Sequence, residues 1–416
     1  MNADEMHRLV KLLADTGEAA TLDEADHLFA AYGVVVDVGD GLLNATQQII
    51  VLTIVNCAAR SLRGNVVLQG RDDVPLTVDG FEGTTLKMFL SRLTGSNAVD
   101  AKPTWPVIEL KGADAASNAI VPHAAGWTFG LGAHAWSEEP ATVAAAVAAG
   151  GLAMAEAFSM MRGDNPYAGH RSLCVDLLDV VHASTRNGEL SHVARPAWLV
   201  GLGHLGQAYA WTLGFMQGDG VELVLQDTDV ITTSTLSTSI LSFASDMGRP
   251  KTDVVGAWLR DRGWHVRTLE QRFDHHQRIE ALDPDIALFG VDNAAARRCS
   301  ESAGFRVIVD VGLGAGHTDF RGIRLRSFPG ASKASDIWAM DASPAMVHAP
   351  AYEAILRTTH DACGVTTLAT RAVGAPFVGC VAAGFAIAAL MHASAGRPLY
   401  SVLDLNLRDP QRLMRA

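Results

Sequence analysis

The chain has 416 residues, 49% of them hydrophobic. That is enough for two or three domains of about 100–200 residues each, and it excludes a disordered tail or a small disulfide-stapled scaffold. Acidic residues outnumber basic ones 45 to 33, a formal charge of −12, which argues against a broad nucleic-acid-binding face.

Residues 1–30 read as helical: Leu9, Leu12 and Leu13 recur at helical spacing, and Thr21 with Glu24 forms a capping box that starts a second short helix. The acidic start, Asp4 and Glu5, does not read as a signal peptide. Residues 34–38 read as a strand, Gly39-Asp40-Gly41 as a turn, residues 42–60 as a long apolar helix and residues 65–69 as the next strand. The same order returns later in a stronger form. Residues 198–200 read as a strand, Gly201-Leu202-Gly203-His204-Leu205-Gly206 as a glycine turn, a helix runs to about Met216, and residues 221–226 form the next strand.

The two halves also end alike, with Ala-rich stretches at 143–157 and 381–390, each followed by Arg and Gly. Any two buried Ala-rich helices look similar, yet the matching order across both halves points to an internal duplication. A boundary is expected between 166 and 195, where Ser184, Thr185, Arg186, Asn187 and Gly188 are polar and turn-like. This divides the chain into 1–180 and 190–416. The first copy lacks the glycine pattern, so it reads as structural. The apolar run 377–391 is about 15 residues against about 20 for a membrane span, so no membrane segment is expected and the cytoplasm is the default compartment.

Gly201-x-Gly203-x-x-Gly206 lies between strand and helix, the context a nucleotide-binding loop needs. The first glycine makes the tight turn, the second lets phosphate approach the backbone, and the third lets helix and strand pack. The helix start offers N–H groups to an anion. Asp227 ends the next strand, about 20 residues on, where an acid can bind ribose. Downstream, Asp229 lies two residues beyond Asp227. Lys251 follows Gly248-Arg249-Pro250, and Asp292-Asn293 follows the apolar strand 286–289. Asp292 is thereby at the C-terminal edge of the sheet, where a carboxylate can hold Mg2+ against phosphate oxygens. Arg297 lies in the helix that follows.

These pieces, with Pro376-Phe377-Val378-Gly379 leading into the final helix, occur in an order that resembles the ThiF/MoeB/E1 superfamily of adenylating enzymes. The resemblance implies a Rossmann-like α/β adenylation fold, with two related halves forming an internal pseudo-dimer. It implies ATP and Mg2+ as cofactors, and adenylation of the C-terminal carboxylate of a ubiquitin-like or sulfur-carrier protein. Asp227 would bind ribose with Asp229 nearby, Lys251 would contact phosphate, Asp292 would bind Mg2+, and Asn293 and Arg297 would sit beside the pocket. Bacterial ubiquitin-like conjugation systems, linked to phage defence, contain proteins of this general type, and an E2-like protein is a further expected partner. Neither nucleic acid nor membrane is.

One departure stands out. The family's Asn-Leu-x-Arg-Gln run is Thr235-Leu236-Ser237-Thr238-Ser239 here, so its phosphate-neutralising arginine is missing. Arg249, or Arg60 or Arg63 from the other half, are candidate substitutes; the alternative is a site with weak, altered or absent activity. The five cysteines, at 57, 174, 299, 363 and 380, include no CxxC pair, so neither a disulfide framework nor the family's zinc site is expected. Some family members pass the acyl group to a cysteine. Cys363, in Thr359-His360-Asp361-Ala362-Cys363-Gly364, is the candidate, with His360 placed to poise the thiol; simple packing is the alternative. Cys299, Cys380 and Cys57 read as packed. Two other functions remain open on this reading: an NAD(P)-dependent oxidoreductase, which the glycine loop and Asp227 suit equally, and a non-catalytic scaffold for a ubiquitin-like protein. The Gly-, Ser-, Pro- and Arg-rich segment 312–349 reads as including a crossover loop able to clasp a partner's tail; an ordinary surface excursion is the alternative.

Overall fold

The first half opens with two short helices, α1 (Val10–Asp15) and α2 (Leu22–Phe29). The Thr21 hydroxyl accepts from the Glu24 amide, while the Glu24 carboxylate reaches back to the Ala20 amide. The structure, a computed structural model, describes residues 6–41, 43–95, 99–110, 119–132, 139–186, 190–314, 316–338 and 347–416. Strand β1 (Val34–Asp37), helix α3 (Ala45–Ser61), strand β2 (Val66–Gln69), helix α4 (Leu86–Thr94) and strand β3 (Val107–Glu109) follow. The three strands form a parallel sheet in the order β2-β1-β3. A hairpin, β4 (Pro122–Ala125) and β5 (Thr128–Leu131), precedes α5 (Val143–Arg162), and β6 (Leu173–Asp176) returns antiparallel to β5.

The second half opens with the same strand–helix–strand order and then adds further strands. Strand β7 (Ala197–Val200), α6 (His204–Leu213), β8 (Glu222–Gln226), α7 (Thr233–Leu236), α8 (Lys251–Arg260), β9 (His265–Leu269) and β10 (Ile286–Phe289) build the parallel core. Then come α9 (Ala294–Arg298), β11 (Val307–Leu313), β12 (Gly322–Phe328), α10 (Ala334–Ile337), α11 (Pro350–Thr359), α12 (Ala362–Thr370), α13 (Pro376–Ser394), β13 (Val402–Asn406) and β14 (Asp409–Arg415). The eight-stranded sheet runs β14-β13-β12-β11-β10-β7-β8-β9. Strands β9, β8, β7, β10 and β11 are parallel, and the rest antiparallel. The chain leaves β7 in one direction to β8 and β9 and returns on its other side as β10. This is a Rossmann-like fold, and its switch point lies between β7 and β10, where open α/β sheets bind ligands. The first half has the same switch between β1 and β3.

The halves meet through helices. Helix α3 packs on α5, α6 packs on α13, and α5 and α13 cross each other. The crossing is close because glycines remove side chains from it. A Cβ on Gly151 would lie 2.7 Å from the Phe377 carbonyl oxygen, and one on Gly384 would lie 2.8 Å from the Ala148 Cβ. Every residue of α13 is buried, an all-round apolar helix that needs protein on every side. Helices α5 and α13 are long and apolar enough to cross a membrane by length and composition, which corrects the expectation that residues 377–391 are too short. Their most apolar windows are 89% and 100% buried in the protein. Cys57 of α3 and Cys380 of α13 are free thiols within this layer, sulfurs 3.6 Å apart, and burial pushes the Cys57 thiol up.

Segment 312–349 contains a strand and a short helix among its described residues. Residues 322–328 form a strand because Ile323 and Leu325 alternate inward with Arg324 and Arg326 outward, a period of two. Residues 315 and 339–346 of it lie outside the described residues.

Candidate functional site

Each glycine of the loop after β7 has its own steric reason. Gly201 has φ +84, and a Cβ there would sit 2.7 Å from the Val291 Cγ1. A Cβ on Gly206 would sit 2.0 Å from the Gly201 carbonyl oxygen, so only glycine lets α6 approach β7. A Cβ on Gly203 would meet nothing within 4 Å. The middle glycine therefore faces open space, where a phosphate can reach the backbone. Gly203 is also the N-cap of α6, and among the described residues no side chain caps that helix. In the first half the equivalent helix start is closed by its own chain: the Asn44 carboxamide accepts from the Gln47 amide (2.9 Å) and the Gln47 carboxamide accepts from the Asn44 amide (3.0 Å). One half thus leaves a helix N-terminus open to an anion, and the other satisfies it internally.

The acidic residues lie around this opening. The Asp227 carboxylate accepts from the Leu202 amide (2.6 Å) and from the Asp229 amide (2.8 Å). Lys251, the first residue of α8, extends its ammonium to the Asp229 carboxylate at 2.7 Å, with the carboxylate 67% exposed. Asp292 and Asn293 are exposed beyond β10, and the Asn293 carboxamide caps α9 by accepting from the Ala295 amide. The strand ends of β7, β8 and β10 thus place the glycine loop, Asp227 and Asp292 on one sheet edge.

Arg297 does not direct its guanidinium into the opening. Its guanidinium turns inward and donates to the carbonyls of Val291 (2.9 Å from Nε) and Val311 (3.0 Å), lies 3.4 Å from the Asp310 carboxylate, and covers the Trp338 ring. Burial pushes the Asp310 carboxyl up, and Arg297 pulls against that shift. Arg297 holds the backbone just before Asp292 and offers no free fork to a phosphate.

The segment that departs from the family pattern is largely buried. The Thr235 hydroxyl accepts from the Thr232 amide, and the Thr238 methyl packs against Gly374. Of the three candidate substitutes for the missing arginine, Arg249 is paired with Asp246 and Arg63 with Asp26. Arg60 does reach the segment from the other half, but as a donor to the backbone carbonyls of Leu236 and, just beyond it, Ile240 and Ser242. Sequence reading passed over Arg8. It sits at the start of α1, donates to the Ala372 carbonyl at 2.9 Å, and its charge acts on His204 in the first turn of α6. Burial lowers the His204 imidazole to about 4, and Arg8 adds to that effect. The only sequence signal for Arg8 was a cation on a helix of the opposite half.

Cys363 is exposed in the first turn of α12. Helices α11 and α12 form a hairpin whose base is buried and whose tip stands in solvent. At the tip the Asp361 carboxylate accepts from the Gly364 amide. Among the described residues no hydrogen bond joins His360 to the Cys363 thiol; His360 instead ends α11 with φ +54. The hairpin base is tied to α1 at both ends, by the Tyr352 hydroxyl donating to Asp15 and by Arg8 donating to Ala372. Cys299 donates to the Ala295 carbonyl, and burial pushes its thiol up.

A separate cleft of about 890 Å³ opens where α1, α2 and the ends of α3 and α4 meet residues 233–245. Arg60, Arg63 and Arg92 line it with Asp26 and Phe243; the glycine loop, Asp227, Lys251 and Asp292 do not.

The BilD C-terminal domain family matches residues 193–397, and the BilD N-terminal domain family matches residues 33–177. The bacterial E1-like protein BilD of Collimonas sp. (strain OK412) is 36% identical over 405 residues, covering 93% of this chain and 88% of that protein. Among solved structures, E. coli MccB with AMPCPP and MccA is 15% identical over 53% of this chain and 63% of its own, with a TM-score of 0.37. E. coli tRNA N6-threonylcarbamoyladenosine dehydratase, TcdA, is 15% identical over 49% of this chain and 87% of its own, with a TM-score of 0.33. The match to MccB spans less than two thirds of that chain's length.

Proposed function

This chain belongs to the BilD family of bacterial E1-like proteins, and on that premise we propose that residues 190–416 adenylate the C-terminal carboxylate of a ubiquitin-like or sulfur-carrier protein with ATP, residues 1–180 serving as a degenerate partner half. One observation carries this reading: an uncapped helix N-terminus, an open glycine position, the Asp229–Lys251 pair and exposed Asp292 converge at the switch point of one sheet.

In the reaction a carboxylate oxygen of the partner's terminus attacks the α-phosphorus of ATP. The bond from that phosphorus to the bridging oxygen breaks, pyrophosphate leaves, and an acyl-adenylate forms. The N–H groups at the start of α6 and the Lys251 ammonium hold phosphate oxygens, and Asp227 accepts from a ribose hydroxyl. Their work is positioning and charge neutralisation. Arg8, brought by the first half to the α6 N-terminus, supplies a cation that residues 235–239 lack.

Asp292 would hold Mg2+, which supplies positive charge against the reacting phosphates when bound. A lone exposed carboxylate suits that ion, which takes much of its coordination from phosphate oxygens and water. Among the described residues no cluster of three or more metal-binding side chains offers an all-protein site.

Transfer to Cys363 completes the reading. The thiolate attacks the acyl carbon, the bond to the AMP oxygen breaks, and AMP leaves; an E2-like protein then meets the thioester at the exposed hairpin tip. The test is exchange of labelled pyrophosphate into ATP. Partner-dependent exchange that falls about a hundredfold or more in Asp292→Ala is expected. Exchange that persists in Cys363→Ala, with loss of a thiol-sensitive adduct, assigns the second step. Partner binding without exchange would leave a scaffold, and nicotinamide reduction would overturn the reading in favour of an oxidoreductase.

A further inference from the structure

Helix α3 belongs to the first half, and side chains near its C-terminal end reach the second. Arg60 is 9% exposed. One of its terminal nitrogens donates to the carbonyls of Leu236 (3.1 Å) and Ser242 (2.6 Å), and the other to that of Ile240 (3.0 Å). Its Nε donates to the Asn56 carboxamide oxygen at 2.7 Å, and the Asn56 amide nitrogen donates to the same Ile240 carbonyl at 3.0 Å. Two side chains of one half therefore gather three carbonyls from seven residues of the other. Helix α7 ends at Leu236, and no strand follows until β9, so these buried carbonyls have no regular ladder to join. A guanidinium fork can satisfy all three, because its donors point outward from one plane to acceptors on several sides, which a lysine ammonium does not match. Burial lowers the Arg60 guanidinium to about 10, which leaves it a cation at neutral pH.

The other side of the same segment meets the nucleotide loop. The Gln207 carboxamide oxygen accepts from the Leu241 amide (3.0 Å) and from the Ser242 hydroxyl (3.0 Å). Its nitrogen donates to the Leu202 carbonyl at 3.2 Å. Gln207 is fully buried, so no water competes for these bonds. The line of contact runs from Arg60 and Asn56, through residues 236–242 and Gln207, to the residue between Gly201 and Gly203. The segment crossed is the one in which the family pattern has its own arginine.

We propose, resting on the reading that the second half binds ATP, that Arg60 is a positioning residue lent by the degenerate half: it fixes residues 236–242 and, through Gln207, holds the glycine loop in its phosphate-binding shape. Arg60 then shapes the nucleotide site without touching nucleotide. Loss of the segment's own arginine is matched by an arginine from across the interface that organises the backbone.

The experiment compares the full-length wild type with Arg60→Met, Arg60→Lys, Gln207→Leu and Phe158→Leu. The last removes buried volume from the helical layer without touching the segment. Two readouts are taken: hydrogen exchange of peptides covering 200–207 and 236–242, and ATP affinity by calorimetry. In Arg60→Met, exchange speeds up about tenfold in both stretches and the ATP Kd rises about tenfold, with Arg60→Lys between it and wild type. Gln207→Leu weakens ATP to a similar degree while Arg60 keeps its bonds to the carbonyls of Leu236, Ile240 and Ser242. Phe158→Leu lowers the thermal midpoint and leaves ATP affinity and the 200–207 exchange at wild-type values. Faster exchange at 236–242 with no change at 200–207 in Arg60→Met overturns the proposal, as does a Phe158→Leu variant that weakens ATP equally. If Arg60→Met does not fold, Arg60→Lys and Gln207→Leu decide alone. A wild type that binds no ATP sinks the nucleotide reading, and the exchange data still decide whether the halves are coupled.

Discussion

The amide of Leu202 donates to the carboxylate of Asp227 across 2.6 Å, so the acid that ends β8 holds the glycine loop before any ribose arrives. The other oxygen of that carboxylate holds the Asp229 amide, and Asp229 in turn holds Lys251. Asp227→Ala therefore removes the acceptor for two amides at once. The expected outcome is a loss of about 1–3 kcal/mol of stability, read by urea denaturation, together with at least a tenfold weaker ATP Kd. Asp227→Asn keeps one carbonyl acceptor and should lie between. An Asp227→Ala protein with wild-type ATP affinity would show that the carboxylate serves only the loop.

The Lys251–Asp229 pair separates stability from function. Its carboxylate is mostly exposed, and an ion pair of this kind contributes about 0–1 kcal/mol. Lys251→Met should accordingly leave the thermal midpoint within a degree or two of wild type. Pyrophosphate exchange should still fall by about 10²-fold, the scale of losing one charged donor to a transferring phosphoryl group. Equal small effects on both would place the ammonium outside the reaction.

What was legible in the sequence was what is local in the chain. The three glycines, Asp227 and Asp292 lie within a few residues of strand ends that apolar runs announce, and switch-point topology does the rest. Arg60 and Leu236 are 176 positions apart, and no pattern along α3 says which way a guanidinium at its end will reach. Arg297 shows the converse. Its place in the helix after Asp292 was readable, but its inward turn depends on the carbonyls of Val291 and Val311, which only the assembled sheet presents. Strand β12 was hidden by composition: the Gly, Ser, Pro and Arg around it masked the two-residue alternation of Ile323 and Leu325. Strand β14 lies at the sheet edge with mostly exposed polar residues, so no buried face marked it.

Acidification should loosen the fold before it touches most carboxylates. Burial lowers His7, His204 and His392 each to about 4, so the folded protein keeps them neutral where an unfolded chain, near 6.5, takes protons. The unfolded state then binds more protons between about pH 6.5 and 4, and stability falls as pH drops through that window. Above about 6.5 these groups contribute no slope. His204 sits in the first turn of α6, where the helix dipole also disfavours an imidazolium. Thermal midpoints from pH 8 to pH 4.5 should be level, then decline, and His204→Asn should make the decline shallower. A wild-type profile that is flat down to pH 4.5 would contradict the burial of these rings.

The ion pair at the base of the Cys363 hairpin makes the sharpest stability prediction. Lys11 and Asp15 are buried in α1 with side chains 1% exposed, the ammonium lies 2.7 Å from Oδ1, and Tyr352 of α11 donates its hydroxyl to the same carboxylate. Burial lowers the Lys11 pKa while Asp15 pulls against that shift, and burial with the nearby Asp15 carboxylate raises that of Tyr352, which keeps its hydroxyl proton. Asp15→Ala leaves an ammonium in the core with no counter-charge, and a loss of about 3–5 kcal/mol is expected. The triple variant Lys11→Met, Asp15→Leu, Tyr352→Phe removes every polar member, and it should be neutral or more stable by about 1–4 kcal/mol. The two variants also differ at the hairpin. In Asp15→Ala, residues 353–367 should be cut earlier in limited proteolysis, because the tie between α1 and α11 is lost; in the triple variant, packing replaces the tie and cleavage stays slow. A single variant as mild as the triple would mean that the Lys11 ammonium finds water in the folded protein.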